Sequence, residues 1–221
     1  MTAKKLILFL FAIWIAQIVC GPVTAGELRQ EQMVSFIYFT GIGCPHCANT
    51  DPVLLEKVIR EENLLIIEYE IYRENINAPL MVNYNDKHGT SFAIPMLIAG
   101  RQTGVTAKSE AIVGDRPILK DLPELIKKYR GNDIILPNSA VSFEKLSLAD
   151  LPLKPKIWYQ DRVAVKDDLE SKASENIKTF IMHGTEPEEC MTSEKDEVVL
   201  SDYKVKFEKA CSYKGWTLMS D

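Results

Sequence analysis

Histidine is scarce, with three in 221 residues, and no second Cys-x-x-Cys accompanies Cys44-Pro45-His46-Cys47. A structural zinc site wants four such ligands, so no metal is expected. Basic residues do not predominate: 26 Lys and Arg stand against 31 Asp and Glu, a net charge of −5. Nucleic-acid binders ordinarily carry a basic stripe, and nucleic acid is not an expected partner. The mean hydropathy of −0.08 excludes a multi-span membrane protein. Internal repeats and low-complexity tracts are absent. With 46% apolar and 26% charged residues the composition is globular, not that of a disordered tail or a collagen-like fibre.

One long apolar run stands out. Lys4 and Lys5 precede an apolar stretch over 6–20, Gly21 and Pro22 break it, and Val23-Thr24-Ala25 supplies small residues. This pattern predicts a secretory signal peptide over 1–25. Two alternatives stand beside it: a retained membrane anchor, since spanning takes about 17–25 residues, and lipidation at Cys20. All three put the remainder outside the cytoplasm, periplasmic or secreted. Of the five cysteines, Cys44, Cys47, Cys190 and Cys211 follow Ala25. An even number in an oxidising compartment predicts disulfides.

Residues 34–40 are β-branched and aromatic and predict a buried strand. Gly41 and Gly43 end it, and a helix is expected from Pro45 to about Glu62, Pro45 suiting a first turn. A strand over 64–73, a helix over 78–87 ending at Gly89, and a strand over 94–98 follow. Gly100 to Gly104 reads as a turn, 109–113 as the hairpin partner, and 118–130 as an amphipathic helix capped by Gly131. The order predicts an α/β sandwich over 26–131 whose first two strands are parallel. Residues 132–156, with Pro137, Pro152 and Pro155, read as a linker or packed crossover. Residues 157–221 read as a small C-terminal α+β domain: a strand over 157–165, a helix over 168–182, and alternating Tyr203, Val205 and Phe207 with 215–218 as hairpin partner.

The cysteine pair sits at a strand-to-helix junction. A thiolate there faces unpaired N–H groups and the positive end of the helix dipole. Cys44 is therefore expected to ionise readily and react first. Cys47, one turn inward, is expected to resolve mixed disulfides, and the chemistry is thiol–disulfide exchange. A purely structural disulfide is the plain alternative. His46 reads as a tuner of the thiolate, or simply as an exposed first-turn residue.

Over residues 34–131 the chain resembles the thioredoxin superfamily. The resemblance rests on the strand before Cys44, the Cys-Pro-His-Cys motif, Pro52 at the helix kink, Ile94-Pro95 at the cis-proline, and Gly114 before the last helix. It implies a thioredoxin-like sandwich, a cis bond before Pro95, and a substrate-binding edge formed by Ile94 and Pro95. The Pro45-His46 dipeptide is similar to that of DsbA-type oxidases. Thioredoxin and DsbA potentials differ by about 150 mV, roughly 7 kcal/mol, and Pro45 and His46 tilt the expectation towards the oxidising end. The chain departs from the pattern in three ways. It has no room for a helical insertion before Pro95, it carries Tyr38 where thioredoxins bury an acid that assists proton transfer, and it lacks space for an N-terminal β-α extension.

Cys190 and Cys211 read most simply as a structural disulfide, with a second redox relay as the sharper alternative. His88 and His183, each before a glycine, read as structural helix-end residues, and Trp158 and Trp216 as core. The acidic stretch over 186–197 reads as a solvated loop. The expected function is an exported thiol–disulfide oxidoreductase, an oxidase by preference, without metal or organic cofactor. Its expected partners are thiol- or disulfide-bearing polypeptides and a redox partner, in the membrane or outside it, that resets the pair. The competing expectations are a reductase, isomerase or glutaredoxin-like enzyme, or a non-enzymatic envelope-binding module on the same scaffold.

Overall fold

The computed structural model describes residues 33–103 and 106–221. The expected leader over 1–25, Cys20 included, lies outside the described residues. Strand β1 (Val34–Thr40) is buried along its whole length, as its β-branched and aromatic composition requires. Helix α1 (Pro45–Arg60) follows, with Pro45 in its first turn. Strand β2 (Leu64–Glu70) is also fully buried and runs parallel to β1, with Val34 beside Leu64 and Thr40 beside Glu70. A helical crossover between neighbouring strands produces this arrangement.

Helix α2 (Ala78–His88) ends at Gly89, which takes the left-handed conformation at φ 61°. Strands β3 (Met96–Thr103) and β4 (Thr106–Val113) form the expected hairpin, and β3 pairs antiparallel with β1. Gly100, expected at a turn, lies instead within β3 opposite Ser109. A Cβ there would meet Lys108 O at 2.7 Å and Ile135 Cγ1 at 2.5 Å. Glycine at this position permits close approach rather than a turn. Helix α3 (Asp115–Lys128) ends at Tyr129, two residues before the expected Gly131 cap.

Residues 132–156 are a packed crossover rather than a free linker. Two short strands, β5 (Ile134–Ile135) and β6 (Ala140–Val141), pair with each other. Ile134, Leu136, Phe143, Leu146, Leu148 and Leu151 are all buried. The prolines remove periodicity without removing apolar side chains, so burial proceeds without a regular element.

The expected strand over 157–165 is two, β7 (Lys156–Tyr159) and β8 (Arg162–Lys166), joined through Gln160 at φ 53°. No glycine marks that turn, so the composition reads as continuous. Helix α4 (Glu175–His183) starts later than expected and stops at left-handed Gly184. Then come β9 (Met191–Thr192), β10 (Glu197–Leu200), β11 (Tyr203–Lys206), β12 (Lys209–Tyr213) and β13 (Trp216–Ser220). The partner of β11 is β10, not residues 215–218. Strand β13 pairs instead with β12 and β8.

Among the described residues nine strands form one sheet in the order β4-β3-β1-β2-β7-β8-β13-β12-β9. Antiparallel pairing of β7 with β2 carries residues 157–221 into the same sheet as β1. Those residues extend the sheet rather than closing a separate small unit. The protein is a mixed α/β structure with a large central mixed sheet. One face is covered by α1, α3 and the β10–β11 hairpin, through Leu54, Val58, Ile118, Leu122 and Leu200. The other is covered by α2, the crossover and α4, through Leu80, Met81, Leu148, Ile177 and Phe180. Trp158 and Trp216 are both core residues, as expected. No helix among the described residues is long and apolar enough to cross a membrane.

Candidate functional site

Cys44 is the N-cap of α1, and its Sγ accepts the backbone N–H of Cys47 at 3.2 Å. The residue therefore occupies the place where helix amides lack partners. Its own N–H donates to Gly41 O at 3.0 Å, closing the turn after β1. Cys44 and Cys47 are joined as a disulfide with Cα atoms 5.2 Å apart. Cys44 keeps 4% of its surface and Cys47 none, so Cys44 is the outer residue of the pair. Pro45 and His46 beside it are exposed.

The Ile94–Pro95 peptide is cis. Ile94 O lies 4.0 Å from Cys44 Sγ, across the gap between α1 and the entry to β3. Pro95 itself is buried and Ile94 half-buried, so Ile94 supplies the accessible part of this edge. Pro95 O accepts Gly114 N–H at 2.8 Å, which ties the start of α3 to the same corner.

That tie brings in Asp115, which the sequence reading missed. His46 Nδ1 lies 3.2 Å from Asp115 Oδ2, with side-chain exposures of 69% and 16%. Asn49 donates to the same oxygen at 2.9 Å. These two hydrogen bonds, Asn49's first, hold the Asp115 carboxyl down at about 2. The only hint in the sequence was its position next to Gly114.

A second group centres on Asp51, which was not anticipated, and includes Tyr38, expected only to stand in the place of an acid. Asp51 lies four residues beyond Cys47 on α1 and is fully buried, on the same helix face. Tyr38 donates to Asp51 Oδ1 at 2.5 Å, and Thr40 donates to both carboxyl oxygens at 3.2 and 3.1 Å. Burial, with a smaller push from the charge of Glu68, raises the Asp51 carboxyl to about 7 against the pull of its Tyr38 and Thr40 hydrogen bonds. Glu68, on β2 beside Tyr38, is buried as well and takes Lys156 Nζ at 2.7 Å and Trp158 Nε1 at 2.6 Å. Burial also raises the Tyr38 hydroxyl well above its ordinary value, with the Asp51 charge second.

Glu70 fixes the loop that precedes Cys44. Its carboxylate accepts from Ile42 N and Tyr72 N at 2.9 Å each, Arg73 N at 2.8 Å and Glu74 N at 2.7 Å. The Tyr72 ring and Ile94 then crowd over Gly41.

Cys190 and Cys211 form the second disulfide, with Cα atoms 5.5 Å apart. Cys211 is on β12, five strand positions from β1. At about 4.8 Å per strand this is roughly 24 Å across the sheet, too far for direct exchange with Cys44. Among the described residues no group of three or more His, Cys, Asp or Glu is arranged to hold a metal ion. No protein-family model, curated protein or solved structure matches the chain.

Proposed function

We propose that this chain is an extracytoplasmic thiol–disulfide oxidoreductase on a thioredoxin-like core, exchanging disulfides with polypeptides through Cys44 and Cys47. One observation carries the reading: the Cys44 sulfur caps α1 and at the same time faces the Ile94 carbonyl. The first contact favours the thiolate. The second offers an acceptor to the backbone of an extended substrate.

In the oxidising direction a substrate thiolate attacks Cys44 Sγ, the Cys44–Cys47 bond breaks, and Cys47 leaves as a thiolate. Asp51, a turn beyond Cys47, supplies its proton. A second substrate thiolate then attacks the mixed disulfide and releases oxidised substrate and the Cys44 thiolate. Two substrate thiols are oxidised and one protein disulfide is reduced. A partner disulfide reverses that reduction.

The Pro45-His46 dipeptide favours an oxidase over a reductase or isomerase. A reduction potential at or below about −270 mV, the thioredoxin value, would reverse the direction assigned. The exchange itself is tested by Cys47→Ala. That variant is expected to accumulate mixed disulfides on Cys44 when exposed to proteins of its own compartment. If none accumulates, the division of labour between the two sulfurs is wrong.

A further inference from the structure

We propose that the β10–β11 hairpin, far along the chain from the cysteines, is part of the redox centre: it shields Asp51 from water and steadies the turn that carries Cys44. The proposal rests on the thiol–disulfide reading above and assigns a role to one C-terminal element within it.

The hairpin forms its own two-stranded sheet, separate from the nine-stranded one. Three contacts bind it to the site. At its tip, Ser201 is fully buried at φ 53°, and its hydroxyl donates to Gly41 O at 3.3 Å. Gly41 O is the same carbonyl that takes the Cys44 N–H at 3.0 Å. Deeper in, Val199 O accepts Lys156 Nζ at 3.1 Å, and that ammonium also binds Glu68. Between these ties, Val198 and Leu200 pack with Leu54, Val58 and Trp158.

Leu200 thereby joins Tyr38, Glu68 and Trp158 in lining a cavity of about 10 Å³, and Tyr38 in turn holds Asp51. That volume is at the lower limit for a single water. The groups acting on Asp51 are Tyr38 and Thr40 from β1, Glu68 from β2 and Lys156 from β7. The hairpin contributes no charged group to this set. Its effect on the carboxyl is exclusion of water, and loss of burial is the change to which the proton on Asp51 responds most.

The full chain carrying Leu200→Ala provides the test, read by the carbon-13 resonance of the Asp51 carboxyl across pH in the oxidised protein. The wild type is expected to titrate near 7, and the variant about one pH unit lower as water enters. A wild-type midpoint in the ordinary carboxylate range, or an unmoved midpoint in a folded variant, overturns the proposal. Ser201→Ala removes one oxygen and leaves the packing, and it decides the matter if Leu200→Ala does not fold. Alkylation of its Cys44 at pH 6 is expected to slow several-fold as the turn loosens and the thiolate fraction falls, and an unchanged rate overturns the proposal. Failure of Cys47→Ala to trap substrates would instead sink the oxidoreductase reading while leaving the carboxyl titration intact.

Discussion

Tyr38 donates its phenolic hydrogen to Asp51 over 2.5 Å, joining a buried strand to a carboxyl one helical turn beyond Cys47. Under the thioredoxin-like reading, strand and helix have exchanged chemistry. The strand supplies a hydroxyl where the family keeps its acid, and the helix supplies the acid.

That acid makes stability depend on pH. The folded Asp51 carboxyl holds its proton up to about 7, whereas an unfolded one releases it near 3.9. Between those values the folded state binds more protons. The contribution is fully present below about pH 4 and is lost as pH rises through 7, on the order of 3–4 kcal/mol in all. Asp51→Asn should remove this slope. Relative to the wild type it is expected to gain stability between pH 5 and pH 8, as urea unfolding at the two values would show. Parallel losses at both would contradict the assignment.

Gly41 and Gly100 should both resist substitution, for different reasons. A Cβ on Gly41 would lie 2.7 Å from Ile94 Cδ1 and 2.8 Å from the Tyr72 ring, side chains that can shift. A Cβ on Gly100 would meet the Lys108 carbonyl at 2.7 Å, which cannot. Gly41→Ala is expected to cost about 1–3 kcal/mol and to displace the Ile94 edge from Cys44, slowing exchange. Gly100→Ala should cost more stability yet leave the exchange rate per folded molecule unchanged.

Glu70→Ala should uncouple the loops on either side of the site. Four backbone N–H groups lose their acceptor, and a loss of about 3 kcal/mol is expected from hydrogen bonds to a charged group. Glu70→Gln, which keeps one carbonyl oxygen, should lose about half as much. Denaturant midpoints of the two variants would separate charge from shape.

The cysteine turn was legible because local rules govern it. The composition of β1, the glycines after it and Pro45 each announce one feature of the junction. Asp51 was not, because a polar residue in α1 reads as a solvated position. Its neighbours Tyr38 and Glu68 share a cavity wall with Trp158 and Leu200, residues far along the chain that no local pattern places there. Strand β10 was hidden for a related reason. Val198, Val199 and Leu200 adjoin an acidic stretch, and charge obscures so short an apolar run. The split of β7 from β8 turns on Gln160 in left-handed geometry, a conformation whose usual sequence marks are glycine or asparagine.

The second disulfide should be separable from function. Replacing Cys190 and Cys211 together with serine opens a loop between residues 21 apart and is expected to cost about 3 kcal/mol. Exchange through Cys44 should persist in the folded fraction. Loss of exchange in fully folded double variant would restore the relay alternative.

The most direct test is the pH profile of alkylation of reduced Cys44, read by mass on that residue alone. Seated over the free amides of α1, its thiol is expected to ionise well below the 8.5 of free cysteine, giving a rate that is already at its plateau near neutral pH. A midpoint at or above 8.5 would mean that the helix end does not stabilise the anion, and the account would fail at its centre.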